Sequence, residues 1–244
     1  MENLRNKLLS NKKIFKELLL SGCYTELINN LNNICNSEML KATDYDLYSD
    51  VCPYDDSVSK KYQIEYINAS FICSNDDFYI ACQDPKLQYI DRFFSFLDKA
   101  DFQCIISLNC ESKYPDFFEI LQSNIVNFQG TPFIKDEIVK LKDKKIRKIT
   151  CLQWHDFSTL THESLEFLYT YLDQFDKNTK IIHCRAGVGR TGSLIMYRTL
   201  RKYEIVTDDL FIDILIDLRV QRAQMITTSG QLEFLHHIFV KRLN

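Results

Sequence analysis

Glycine and proline are scarce in this chain of 244 residues, at 6 and 4. With neither clustered, no stretch reads as a linker, so residues 1–244 are expected to form one large domain. No apolar run approaches the ~20 residues that cross a bilayer. The opening segment MENLRNKLLSNKKIFKELLL interleaves charged and apolar positions, which argues against a secretion signal and suits amphipathic helices over about 1–36. A net charge of −3 leaves no basic excess for nucleic acid. The nine cysteines are odd in number and contain no C-x-x-C pair, so the spacing offers neither a zinc site nor a redox pair. A reduced, intracellular protein fits best, in the cytoplasm; the Asn, Lys and Ile bias suggests an AT-rich genome and admits a host cell as the setting.

What is present is core material: 45% of residues are hydrophobic, with 17 Phe and 13 Tyr. Periodicity predicts helices over 3–20 and 23–35, then a polar, turn-rich stretch over 41–61. EYINASFI (65–72) and DFYIACQ (77–83) read as strands, and 89–100 reads as a helix turning Phe93, Phe94 and Leu97 inward. CIISLN (104–109) is a short strand, 124–154 holds several strands and turns, and a helix begins at Thr161. KIIHC (180–184) is a buried strand followed by helices over 191–205, 207–222 and 229–243. Strands and helices mixed without a repeat predict an α/β domain of the α+β type around one sheet, with a catalytic core over 40–240.

Three of the six glycines fall in IIHCRAGVGRTG, residues 181–192, between that strand and the next helix. A glycine turn there lets the backbone of Arg185, Ala186, Gly187, Val188 and Gly189 curl with its N–H groups converging. The helix N-terminus adds positive charge and Arg190 adds a planar fork, so a tetrahedral dianion is the natural guest. Thiols in such fields titrate below the ~8.5 of a free thiol, so Cys184 is expected to attack as a thiolate, without metal or cofactor.

HCRAGVGRTG is similar to the signature loop of the cysteine-dependent protein tyrosine phosphatases. LYSDVCPYDDS resembles the phosphotyrosine-recognition segment of the tyrosine-specific branch, and EYINASFI, CQDP, QWHDFS and LRVQRAQMITTSGQLEF resemble further family segments in the family's order. The resemblance implies a twisted mixed central sheet flanked by helices and hydrolysis of phosphotyrosine in proteins through a cysteinyl phosphate. It implies Cys184 as nucleophile, Asp156 as acid and then base, Thr191 as donor to the sulfur, Gln231 as water-positioner, and His183 as support for the Cys184 main chain. Tyr48 would line the substrate slot and Asp50 would hold substrate amides. Glu111 would orient Arg190, and Lys113 would contact the acid loop. The implied partners are phosphotyrosine proteins, with a monomer favoured. His155 stands where the family has proline, and Thr227 where it has a first glutamine. Those two departures leave a second reading open, a catalytically impaired phosphotyrosine-binding module or substrate trap.

Overall fold

Ile181 and Ile182 are both fully buried although their side chains point to opposite faces, which requires cover on both sides of the strand. A computed structural model of the chain describes residues 2–102, 104–111, 114–175 and 179–240. Its strands are β1 (Ala69–Ser74), β2 (Asp77–Cys82), β3 (Cys104–Ser107), β4 (Glu119–Phe128), β5 (Thr131–Leu141), β6 (Lys144–Cys151) and β7 (Lys180–His183). They form one sheet in the order β1-β2-β7-β3-β6-β5-β4. β2, β7, β3 and β6 run parallel, and β1 on one side and β5 and β4 on the other join antiparallel, so the sheet is mixed.

Nine α-helices flank it among the described residues: α1 (Glu2–Ser10), α2 (Lys12–Leu20), α3 (Tyr24–Cys35), α4 (Ser57–Tyr62), α5 (Ile90–Lys99), α6 (His162–Asp173), α7 (Gly189–Leu200), α8 (Asp208–Gln221) and α9 (Ser229–Phe239). Ile106, Ile149 and Ile182 share one core with α1–α3 and α6–α9, whereas Ile80, Ile105 and Ile181 share the other with α4 and α5. Alternation along each strand therefore divides the apolar residues between two layers of helices. The result is a single α/β domain, as the sequence pattern indicates. Among the described residues no helix is long and apolar enough to cross a membrane.

Several boundaries differ from the periodicity. The helix predicted over 3–20 breaks at Asn11, because the side chains of Ser10 and Asn11 both donate to the Lys7 carbonyl and compete with the helical ladder. In α5 the buried positions are Ile90, Phe93, Phe96 and Leu97, one helical stripe, while Phe94 lies on the flank against Phe117 and Phe118. The strand of EYINASFI starts only at Ala69, and α4 sits within the polar stretch, where it buries Val58. The helix expected over 191–205 begins at Gly189 and ends at Leu200. Thr161 caps α6 as predicted, its side chain accepting from Ser164 N.

The N-terminal helices have a positional role. Arg5, Lys12 and Lys16 pair with Asp217, Asp213 and Asp209, three aspartates spaced by four along one face of α8. Exposed ion pairs of this kind contribute little, and the fully buried Leu8 and Leu19 supply the adhesion. Together they seat α8, whose last turn carries the fully buried Arg219, with the fully buried Arg222 just after it.

Candidate active site

β7 ends at His183, and the chain turns through Cys184–Val188 into α7. The carbonyls of residues 185–188 in this turn have donors on the protein side. Arg185 O accepts from Asp84 N at 2.9 Å, and Val188 O from Gly192 N at 2.9 Å and Ile226 N at 3.2 Å. Gly187 O accepts from Arg222 Nε at 2.9 Å, and Ala186 O from Arg222 Nη2 at 3.2 Å. In a planar trans peptide the N–H points opposite the carbonyl, so the N–H groups that follow are turned away from those donors, toward the cavity. Gly187 is required for this path. Its φ is +73°, and a Cβ there would lie 2.1 Å from the Cys82 carbonyl oxygen.

The cavity so framed is lined by Cys184, Arg185, Ala186, Val188, Gly189 and Arg190, with Tyr48, Asp50, Asp156, Phe157, Thr227 and Gln231 around it. Cys184 is 3% exposed and lies among these residues at the start of the turn. Arg190 is equally buried, and its Nη1 donates to Leu108 O at 2.8 Å and Trp154 O at 2.7 Å. Its Nη2 donates to Asp156 Oδ1 at 2.9 Å. Arg190 Nε and Thr191 Oγ1 are buried with no hydrogen-bond partner. Two buried donors left unmatched cost free energy unless an acceptor arrives, and here they flank the cysteine turn. Cys82, at the end of neighbouring β2, is fully buried, and burial pushes its thiol up to about 12.

The loop that carries Asp156 lines the cavity. Trp154 is buried, its Nε1 donates to Ser158 O at 3.0 Å, and Ser158 N and Oγ both donate to His155 O. This tight turn places Asp156 over Arg190, and Phe157 at φ +58° leaves its ring 72% exposed.

Tyr48 is positioned by residues far away in sequence. Gln83 clamps the preceding backbone, accepting from Leu47 N at 2.9 Å and donating to Tyr45 O at 2.7 Å. Asn68 donates to Asp46 Oδ1 and accepts from Arg222 Nη2, both at 2.7 Å. One chain of hydrogen bonds therefore links the Tyr48 segment to Gly187 through Asp46, Asn68 and Arg222. Asp50 lines the mouth, its carbonyl accepting from Gln224 Nε2 at 2.6 Å.

Comparison with known proteins agrees with this geometry. Residues 44–241 match the family model for protein-tyrosine phosphatase. The chain belongs to the protein-tyrosine phosphatase family. It is 28% identical over 211 residues to tyrosine-protein phosphatase 2 of Dictyostelium discoideum, covering 74% of this chain and 55% of that protein. It is 26% identical over 238 residues to the rat non-receptor type 20 phosphatase, covering 84% of this chain and 55% of that protein. The chain thus spans about half the length of these curated relatives. Its fold matches PTPN18 in complex with HER2 phosphopeptides, at TM-score 0.73 and 17% identity over 97% of this chain and 96% of that one. It also matches the Trypanosoma cruzi phosphatase TcPTP1, at TM-score 0.68 and 20% identity over 94% of each.

Against the protein-tyrosine phosphatase pattern, the sequence reading needs one correction. Glu111 does not orient Arg190: it is exposed, its N–H donating to Asn109 Oδ1 at 3.4 Å, and the carbonyls of Leu108 and Trp154 hold the guanidinium instead. Lys113 lies outside the described residues. His155 is exposed and does not line the cavity. Thr227 does line it, and its Oγ1 donates to Gln224 O at 3.2 Å. Gln231 is buried with its Oε1 accepting from Thr227 N and Thr228 N, so its carbonyl end is committed to the main chain. His183 bonds Tyr114 OH through Nε2 at 2.5 Å, and its Nδ1 lies 3.5 Å from Asp84. Burial lowers the pKa of this imidazole, with Asp84 and the Cys184 main chain acting against the shift. Arg222, Asn68, Gln83 and Tyr114 received no role from sequence, although three of them fall inside the quoted motifs.

Two predictions follow from these supports. Arg222→Met leaves the carbonyls of Ala186 and Gly187 without their donor, at about 1–3 kcal/mol for each buried group stranded. Urea unfolding is expected to show that loss, together with a collapse in phosphotyrosine-peptide affinity. His183 carries its proton less readily folded than unfolded, so protons favour the unfolded chain and its stabilising contribution is lost as pH falls below about 6.5. The unfolding midpoint followed from about pH 7.5 to 5.5 is expected to fall, and to fall less steeply in His183→Asn.

Proposed function

We propose that this chain hydrolyses phosphotyrosine in proteins through a cysteinyl-phosphate intermediate. The observation that carries the proposal is the pairing of Cys184 with two unmatched buried donors, Arg190 Nε and Thr191 Oγ1, beside a turn whose carbonyls at residues 185–188 are drawn to donors on the protein side. That arrangement suits three phosphoryl oxygens approaching the sulfur. The relative PTPN18, solved with HER2 phosphopeptides, supports a phosphotyrosine segment as the guest.

In the first displacement Cys184 Sγ attacks phosphorus, the P–O bond to the tyrosine phenol breaks, and Asp156 gives its proton to the leaving oxygen. An incoming dianion competes with Asp156 for Arg190, which releases the Asp156 carboxyl to face the leaving oxygen. In the second displacement the Asp156 carboxylate takes a proton from water, whose oxygen attacks phosphorus while the S–P bond breaks. Thr191 Oγ1 donates to the departing sulfur. Tyr48 and the exposed ring of Phe157 flank the entrance, so the depth of the slot favours the long phosphotyrosine side chain over phosphoserine. His155 outside the cavity and Thr227 at its edge displace none of these groups, which supports turnover over mere binding. The reading includes action as a monomer in a reducing intracellular compartment, supported by nine free cysteines.

Purified protein given phosphotyrosine and phosphoserine peptides in the presence of a chelator is expected to release phosphate from the former alone. Cys184→Ser should abolish release, and Asp156→Asn should slow it roughly 10²–10⁴-fold. An active Cys184→Ser protein contradicts the mechanism. Thr227→Gln restores an amide beside the attacking water and should speed the second displacement severalfold, visible as a smaller pre-steady-state burst.

A further inference from the structure

Arg185 follows the nucleophile directly, yet its side chain has no part in the displacements above. Its backbone is fixed, because its carbonyl accepts from Asp84 N. Its side chain is exposed at the lining of the cavity and donates from Nε to the Tyr48 phenol oxygen at 2.8 Å. That bond occupies one of the five N–H donors of a guanidinium. Asp156 is already paired with Arg190, and Asp156 and Glu111 act on Arg185 only through longer-range attraction. The rest of the fork is uncommitted and stands at the rim of a slot that Tyr48 walls.

We propose that Arg185 is a specificity residue that selects phosphotyrosine segments bearing a carboxylate side chain next to the phosphotyrosine. The inference rests on the phosphotyrosine reading of the same site and adds the sequence context that it accepts. A substrate ring lying against Tyr48 brings its chain neighbours past Arg185, and a planar fork matches a carboxylate two bonds at a time. The Tyr48 bond holds the guanidinium in one place beforehand, which lowers the ordering cost of each contact. Asp50 on the same rim, and Glu111 through its longer-range attraction to Arg185, oppose a carboxylate and moderate the preference. Exposed pairs are also screened, so the expected discrimination is about two- to fivefold at low salt rather than orders of magnitude.

The test measures binding in the Cys184→Ser background, with paired phosphotyrosine peptides that carry either glutamate or alanine beside the phosphotyrosine. The glutamate peptide is expected to bind about two- to fivefold more tightly, with the advantage fading between about 0.05 and 0.5 M salt. Adding Arg185→Met should erase the preference while weakening the alanine peptide much less, and Arg185→Lys, which keeps the charge, should retain part of it. Equal loss for both peptides would reduce Arg185 to a brace for Tyr48 and overturn the proposal, as would no preference in the parent. Turnover of p-nitrophenyl phosphate by the unaltered chain is scored separately. Its absence would count against the phosphatase reading, while the peptide comparison still decides on Arg185.

Discussion

The site depends on where the carbonyls of residues 185–188 point. A turn with its oxygens facing the cavity would repel a phosphoryl group, however many arginines surrounded it. Here Asp84 N, Arg222, Gly192 N and Ile226 N take every one of those oxygens, which leaves the opposed N–H groups for the guest. Gly187 follows from the same requirement: the turn passes so close to the end of β2 that no Cβ fits. The parallel strands enter because their carboxyl ends converge on one edge, bringing Asp84 after β2 and Leu108 after β3 beside Cys184 after β7.

Placing Arg190, Arg219 and Arg222 in the interior is costly, since burial opposes their charge; for Arg219 and Arg222 it pulls the guanidinium pKa below its ordinary value. Their partners explain why the positions are nonetheless occupied. Arg219 donates to Met225 O and Ile226 O, fixing the segment that leads to Thr227 and Gln231. Arg222 serves the cysteine turn and Asn68. Each satisfies loop carbonyls that no regular secondary structure would reach, so the charge is exchanged for a rigid irregular backbone. Of these three, Arg190 is the one that keeps an unmatched nitrogen and the one that lines the cavity.

Much of this was legible in the sequence because it is local. The fully apolar centre of KIIHC gave a buried strand, the glycines gave the turn, and Thr161 gave the start of α6. Cys184, Arg190, Asp156 and Tyr48 do converge on one cavity. What stayed hidden is long-range. Nothing about Asn68 or Gln83 in isolation says that one links Asp46 to Arg222 and the other clamps the backbone before Tyr48. Arg222 has the composition of a surface residue and is fully buried. Glu111 failed for the complementary reason: main-chain carbonyls can orient a guanidinium as well as a carboxylate can, and they carry no signature in the sequence. The break at Asn11 was missed because two side chains compete there for a single carbonyl, a detail below the resolution of apolar spacing.

The mechanism requires the turn to deliver a phosphoryl group to one particular sulfur. Mixing the protein with a phosphotyrosine peptide, quenching in acid within milliseconds and sequencing the digest by mass spectrometry tests it directly. The account predicts a phosphoryl adduct on the peptide containing Cys184, present during turnover and absent once substrate is exhausted. Phosphate released steadily with no adduct at Cys184, or an adduct carried by another residue, would contradict it.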